Sequence, residues 1–518
     1  MKHFPLCPAV GLALFLAGCT VGPRYTPPQS NLAPEYSSAP TDQAGRTTQI
    51  VAGPEATARW WFVFGDPELN SLIARAARNN LDLQEALSRV RLARAERAGL
   101  TSRLWPEVDA SAGYDRGHGS ENVVLPFGSA STGAGGASSK GVSAETTGSD
   151  PSQSGGGAAA GQPLSPFGQG GLPGVTTNLY QVGFDASWEI DIFGGTRRAL
   201  EAAGAGVAAA EEARRAALAS LLAEVATTYV ELRTDQHRLQ ITREHLAAQK
   251  EELAIIEAKF KTGFATDLEV AQQNAQLAAT QATLPPLETI ERTSAHALAF
   301  LLAEPPAALT AELDLPKALP PLPAAVPVGM PSDLLRRRPD IRRAERELDQ
   351  ATAQVGVAAA ELLPKFDLTG AFGLDSSDLR HLPEWSSHYY SISPGIRWPI
   401  LDWGRIRANV HVQTERQQQA FLEYQKTVAQ ALRDVEDALV QYGNEQSRRT
   451  ALAAATDASR RARELAGQRF EHGVSDLLAT LDAQRTLLQA EDALAQSDGA
   501  LRRDLISLYK ALGGGWEE

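Results

Sequence analysis

The side chain with the clearest chemical use is the thiol of Cys19. It closes the run Leu16-Ala17-Gly18-Cys19. That is the pattern of a bacterial lipobox, in which cleavage precedes the cysteine and its sulfur is acylated. Lys2 and His3 make a polar start, and Ala9 to Ala17 is an apolar run too short to span a bilayer. The competing reading is a plain secretory signal that happens to contain a cysteine. Thr20, rather than Asp, follows the acylation site and points to outer-membrane sorting. Cys7 lies in the segment to be removed, so the mature chain keeps no thiol for a disulfide, a metal or a nucleophile. Asp434-Val435-Glu436-Asp437 has the composition of a metal or acid–base cluster, but it also fits a solvated helix face. The nine histidines are scattered. No Walker loop, Ser-His-Asp arrangement or metal-spaced His pair is present. The sequence therefore offers no catalytic residues, no cofactor and no metal site. A formal charge of −13 argues against nucleic acid as a partner.

The elements that must carry these residues come in two copies. Asp82 to Pro106 matches Asp340 to Pro364 at an offset of 258, with Ala86 on Ala344 and Ala93 on Ala351. Further on, Trp188 matches Trp398, Gly194 matches Gly404, Arg197 matches Arg407 and Gly263 matches Gly473, at an offset of 210. The offset falls by 48, so the first copy carries 48 extra residues, seen in the Gly/Ser/Ala-rich stretch 117–177. Each copy reads helix, strand, strand, very long helix, turn, helix. The organisation expected is a signal peptide 1–18, a lipidated extended segment 19–66 and a first repeat 67–303. A Pro-rich linker 304–331, a second repeat 332–512 and a tail 513–518 follow. Helices are expected at about 67–104, 196–262, 266–303, 332–362, 404–471 and 475–512. Strands are expected at about 107–116, 179–191, 365–374 and 388–401.

Leu218, Val225, Leu232, Leu239, Leu246, Leu253 and Phe260 recur every seven residues, as do Leu487, Leu494, Leu501 and Leu508. Sustained heptads imply coiled-coil packing. A helix over 196–262 rises roughly 100 Å, too long for a compact domain. Two shorter helices stacked end to end would line it, and Pro285-Pro286 should interrupt the fourth helix. In the strands, Tyr180, Val182, Phe184, Ala186 and Trp188 alternate with polar or small residues, as in a barrel strand with one face to lipid. Trp188, Trp398, Trp403, Tyr389 and Tyr390 fall near strand ends, where an aromatic girdle would sit. Four strands cannot close a transmembrane barrel, and open edges are not tolerated in lipid. The barrel must therefore be shared among copies.

Cys19-Thr20-Val21-Gly22-Pro23-Arg24-Tyr25, Trp60-Trp61, Trp188-Glu189-Ile190-Asp191-Ile192-Phe193-Gly194, Arg337-Arg338-Pro339-Asp340-Ile341, Leu401-Asp402-Trp403-Gly404-Arg405 and Leu512-Gly513-Gly514-Gly515-Trp516 stand in this order along the chain. With them the sequence resembles the outer-membrane efflux (TolC-like) family, most closely its NodT-type lipoprotein branch. The resemblance implies a mainly α fold with membrane β. It would be a homotrimer, with a 12-stranded barrel from three sets of four strands and a long coiled-coil α-helical barrel in the periplasm. It implies the exit duct of a tripartite pump, working with a periplasmic adaptor and a proton-driven inner-membrane transporter, lipid-anchored in the outer membrane. It also implies that the turns between helix pairs are the adaptor-contact tips, at Gly263, Phe264 and Thr266 and at Gly473, Val474 and Ser475. In each turn a glycine lets the helix reverse, and Thr266 or Ser475 is placed to cap the next helix. Asp482 matches the family's gate carboxylate and Arg485 the lipoprotein branch, while Ala479 departs from the double-carboxylate form. An ordinary solvent-facing i,i+3 pair is the plain reading of Asp482 and Arg485. Gln272 stands at the matching place in the first copy, so the gate charge belongs to one copy only. The alternative function is a periplasmic adaptor-type coiled-coil lipoprotein, which would have one hairpin rather than two. An enzyme or binding lipoprotein is a third class, for which no site is found.

Overall fold

The computed structural model describes residues 20–28, 33–38, 48–51, 58–120, 122 and 175–516. The signal peptide, Cys19, most of the 117–177 insertion and the last two residues lie outside them. The chain divides into two compact units.

One unit, built from 100–196 and 360–404, is a sheet. Its strands are β2 (Glu107–His118), β3 (Thr176–Ile190), β5 (Lys365–Ser376) and β6 (His388–Arg397). They pair in the order β2-β3-β5-β6, and every pair is antiparallel. The strand expected to run to 401 stops at Arg397, two residues before Pro399, whose missing N–H cannot continue a ladder. Residues matched by the duplication do the same work in both copies. The Trp188 indole N–H donates to the Leu104 carbonyl at 3.1 Å, and that of Trp398 donates to Leu362 at 3.1 Å. The two bonds agree with both offsets at once, since 104 and 362 differ by 258 while 188 and 398 differ by 210.

The other unit, built from 21–99, 197–359 and 405–518, is helical. The helix expected over 67–104 is two helices, α1 (Pro67–Asn79) and α2 (Leu81–Ser102). Asn80 divides them: its side chain accepts from the Leu83 N–H at 3.0 Å and donates to the Leu301 carbonyl at 2.9 Å. The first long helix is α3 (Gly195–Lys261). After it come α4 (Asp267–Ala282) and α5 (Leu284–Leu301), broken at Thr283 just before Pro285-Pro286. The second copy supplies α6 (Pro339–Ala360), α7 (Arg405–Glu471) and α8 (Leu477–Ala511). The two long helices have 67 residues each.

Short helices do line the long ones end to end. Along α3, Glu211 meets Arg94 of α2, Arg233 meets Glu68 of α1, Arg243 meets Glu288 of α5 and Gln249 meets Gln273 of α4. Along α7, Gln417 meets Thr352 of α6, and Arg449 and Thr456 meet Asp498 and Ala490 of α8. The heptad positions Val225, Leu232, Leu239, Leu501 and Leu508 are buried, whereas Phe260 at the end of its series is exposed. Trp60 stacks on Tyr509 at 5.8 Å in the middle of the core. A feature absent from the sequence reading is a two-stranded parallel sheet. In it β1 (Gln49–Val51), in the N-terminal segment, pairs with β4 (Ala325–Pro327), in the Pro-rich linker. Both segments are short and irregular, so no periodicity announces the pairing.

Candidate functional site: a lipid-facing sheet and two hairpin tips

Strict register sorts the sheet into two faces. On one, Val108, Ala186, Gly370 and Ile392 form a row, and so do Ala110, Phe184, Phe372 and Tyr390. Trp188, Leu368 and Pro394 form another, and Ile190, Phe366 and Ile396 the last. The opposite face carries Glu107, Asp109, Asp185, Asp367 and Asp375. The apolar face is bare: Phe184 is 56% exposed, Ile392 75% and Ile396 70%. A soluble sheet would cover such a face. From the Ile190 row to the Tyr114–Tyr180 row there are ten steps of strand, which at about 3.3 Å each and a tilt near 40° stand about 25 Å tall. That is the height of the apolar band of an outer-membrane barrel.

Tyr390 and Trp188 take their expected place on this face. Tyr389 does not. It pairs with Gly373 on the polar face, and its ring closes over Gly183 and Gly373. A Cβ on Gly373 would come within 2.7 Å of the Val182 carbonyl and 2.8 Å of the Tyr389 ring. Adjacent residues on a strand point to opposite sides, so only one of two consecutive tyrosines can face lipid.

The hairpin tips are near-copies. Helix α3 ends when the Phe264 N–H donates to the Lys259 carbonyl at 2.8 Å and the Gly263 N–H donates to Phe260 at 3.0 Å. Helix α7 ends with Val474 on Arg469 at 2.8 Å and Gly473 on Phe470 at 3.0 Å. This is the Schellman closure, and it needs a left-handed residue. Gly263 has φ 78° and Gly473 φ 68°, with open space around both, so backbone angle and not crowding requires the glycine. Thr266 caps α4 as expected, in a capping box with Glu269. Ser475 does not cap α8. Asp476 does, accepting from the Ala479 N–H at 3.3 Å, while the Ser475 hydroxyl is buried without a hydrogen-bond partner. The offset of 210 maps Thr266 onto Asp476, so the repeat itself identifies the cap. Phe264, Leu268, Val474 and Leu478 expose apolar surface at the tips; beneath them Ile256, Leu477 and Leu481 pack with Val270 and Phe470.

Arg485 donates to Asp482 on its own helix, and both side chains are about 60% exposed. In one chain this is a solvent-facing pair of little energetic weight. The Asp434–Asp437 stretch is split among tasks. Asp434 accepts from Arg338 at 3.1 Å, and Glu436 accepts from both backbone N–H groups of Ser37 and Ser38. The Glu436 carboxyl is lowered: burial opposes this but is outweighed by its hydrogen bonds from Ser37 and Ser38. Among the described residues no group of three or more His, Cys, Asp or Glu is placed to hold a metal.

Sequence reading missed a polar ladder. Glu231 pairs with Arg503 at 2.9 Å, Arg238 with Asp492 at 2.6 Å, His245 with Glu491 at 2.7 Å and Glu252 with Arg463 at 2.7 Å. The rungs on α3 are seven residues apart, one position before the leucines of the heptad. Their partners lie on α7 and α8, so the ladder joins the first hairpin to the second. The signal was present as charged residues recurring with the leucines. The matching places in the second copy are Gln441, Arg448, Ala455 and Ala462, which cannot repeat it. Nearby, burial and then Glu445 raise the Asp504 carboxyl to about 6, against the pull of Arg503.

A membrane-height sheet joined in sequence to paired long helices defines an outer-membrane duct. The family model described as "Outer membrane efflux protein" matches residues 72–304 and 330–514. The chain is 30% identical over its whole length to "Nodulation protein T" of Rhizobium leguminosarum bv. viciae, covering 94% of that protein. It is 32% identical to "Pyoverdine export outer membrane protein OpmQ" of Pseudomonas putida, covering 100% of this chain and 98% of that one. The solved structure described as "Structural insights of the outer-membrane channel OprN" superposes with a TM-score of 0.80 at 33% identity, over 96% of this chain and all of that one. The chain belongs to the outer membrane efflux protein family. It is an efflux channel of the outer membrane, the exit duct of a tripartite pump.

Proposed function

We propose that three copies close their four-stranded sheets into one 12-stranded barrel, and that the duct so formed takes cargo from a periplasmic adaptor and an inner-membrane transporter. The observation that carries this is the bare apolar face, about 25 Å tall, on a sheet with two open edges, β2 and β6. The duct itself performs no chemistry, and cargo passes it passively. The periplasmic adaptor-type reading lacks a use for such a face. Cys19 carries the lipid anchor in this account, and Gly263, Phe264, Thr266, Gly473, Val474 and Ser475 form the adaptor-contact tips. Their exposed apolar side chains, with rigid Schellman turns behind them, suit docking.

Asp482 and Arg485 supply the gate by exchanging their mutual bond for bonds to neighbouring copies. The polar ladder is the intrachain counterpart: the second hairpin moves away from the first only when its rungs part. Reconstitution into planar bilayers tests this reading. Heat-resistant trimers that conduct, with conductance raised in Asp482→Ala and raised further with Glu252→Ala added, are expected. A monomer washed from membranes by mild salt contradicts the duct, and unchanged conductance in both variants contradicts the gate.

A further inference from the structure

We propose that the lipid-facing side of the sheet ends, at its hairpin end, in a binding rim for phosphate-bearing glycolipid headgroups, with Arg116 as its anchor. The inference rests on the reading of the bare face as bilayer-embedded. Three observations carry it.

The first is where polar residues stand on that face. From Ile190, Phe366 and Ile396 upward it is apolar, apart from His388 in the Ala112–Val182–Leu374 row, until the Tyr114–Tyr180 stack, whose rings lie 4.7 Å apart. Beyond that stack come Arg116 with Asn178 opposite and His118 with Thr176 opposite. Ser376 ends β5, and His388 starts β6. The other end of the same face has no such group and closes on isoleucines and Phe366.

The second is charge sorting. The chain is acidic, yet no Asp or Glu stands on this face in any of the four strands. The carboxylates at the same level, Asp115 and Asp375, point to the opposite face. The nearest rim carboxylate is Asp378 of the loop after β5, which acts on the Tyr180 hydroxyl against Arg116; on the strands themselves an arginine fork, which matches phosphate, stands without one.

The third is that both imidazoles are held. His118 Nδ1 lies 2.9 Å from the Thr176 hydroxyl, and His388 Nδ1 is bonded to the Trp385 carbonyl while its ring stacks on Trp385 at 4.5 Å. Each ring is oriented through its Nδ1, so Nε2 is the nitrogen that would meet a ligand. Trp385 is 72% exposed and stacks on His388, an aromatic of the kind that sits at headgroup level.

The end in question is set by connectivity. The opposite strand ends lead into the helices within a few residues, so this end meets the outer leaflet. Arg116 and His118 lie on β2 and His388 on β6, the two edge strands, so each seam between copies brings one set to the other.

Native mass spectrometry of the detergent-purified trimer tests the rim, using a bisphosphorylated hexa-acyl glycolipid and its fully dephosphorylated form. The phosphorylated lipid should be retained at least tenfold better by the unmodified protein. Arg116→Ala with His118→Ala should cut that preference fivefold or more, and Arg116→Lys should keep most of it. Equal retention of both lipids by the unmodified trimer overturns the proposal without recourse to any variant. Displacement by millimolar inorganic pyrophosphate would show a free-phosphate site and would overturn the lipid assignment. Flotation with phosphatidylcholine vesicles free of glycolipid separates the two readings: a protein that floats but shows no preference loses the rim and keeps the membrane sheet.

Discussion

The two repeats are the same pattern used twice, and their differences mark what each is for. Both end their long helix with the same Schellman closure and anchor the same tryptophan to the same carbonyl. The first repeat alone carries the buried ion cluster, where Arg233 meets Glu68 at 2.6 Å and Lys317 joins Glu68 at 2.8 Å. Its counterpart in the second repeat is Gly443. The first repeat also provides the α3 side of the polar ladder. The second repeat carries the pair Asp482 and Arg485 below its tip, where the first has Gln272 and Ala275. In the proposed gate the first copy would serve as the fixed wall and the second as the movable partner, on a common backbone.

That contrast can be broken from either side. The largest effect expected is from Arg233→Ala, which leaves the buried Glu68 carboxylate with Lys317 as its remaining cationic partner. It should lower stability by about 3–5 kcal/mol, read as the denaturation midpoint in detergent, whereas Gly443→Ala should cost far less. Next come the helix ends. Ala303 occupies a left-handed position, φ 56°, where the matching residue of the second repeat is Gly513, φ 83°. Gly513→Ala should destabilise by about 1–2 kcal/mol, and Ala303→Gly should stabilise by up to about 1 kcal/mol, since only glycine enters that region without strain. Equal and same-signed changes would show that the two ends are not equivalent. Trp188→Phe and Trp398→Phe should each cost about 1 kcal/mol, the loss of one indole hydrogen bond. At the tips, Thr266→Ala and Asp476→Ala should each cost about 1 kcal/mol, while Ser475→Ala should be neutral, because Ser475 caps nothing. The last effect is read as a pH dependence and concerns Asp504. Its folded carboxyl is raised to about 6, so the native state holds its proton more tightly than the unfolded chain does. Stability from this group therefore falls as pH rises from about 4 to 6. Asp504→Asn should flatten the midpoint across that window; an unchanged profile would place the titration elsewhere.

What the sequence disclosed, and what it hid, follows from the physics of each feature. Long helices and strands announce themselves by periodicity, and the 258 and 210 offsets match the residues that make the two tryptophan bonds. Asn80 stayed hidden because a single polar residue that is buried against Leu301 looks like any helix-surface position. The β1–β4 pairing stayed hidden because three-residue strands carry no period. Ser475 resembles a cap because serine favours that role, although the repeat places Asp476 on Thr266. Tyr389 resembles a girdle residue by its place near a strand end, but alternation turns it to the opposite face from Tyr390. The ladder is hidden because its charged residues share the seven-residue period of the leucines that follow them by one position.

The central claim is that the sheet's open edges are closed by neighbouring copies. Within one chain β2 and β6 are three strand spacings apart, about 14 Å, beyond the reach of a disulfide. Ser111→Cys on β2, combined in turn with Ser391→Cys and Ser393→Cys on β6, can therefore cross-link only between copies. Cys7 and Cys19 are the only native cysteines. Oxidation in intact outer membranes followed by denaturing electrophoresis should give dimer and trimer bands with a ceiling at the trimer. Monomer alone across the whole panel, or bands climbing past the trimer, would contradict a barrel closed by three chains.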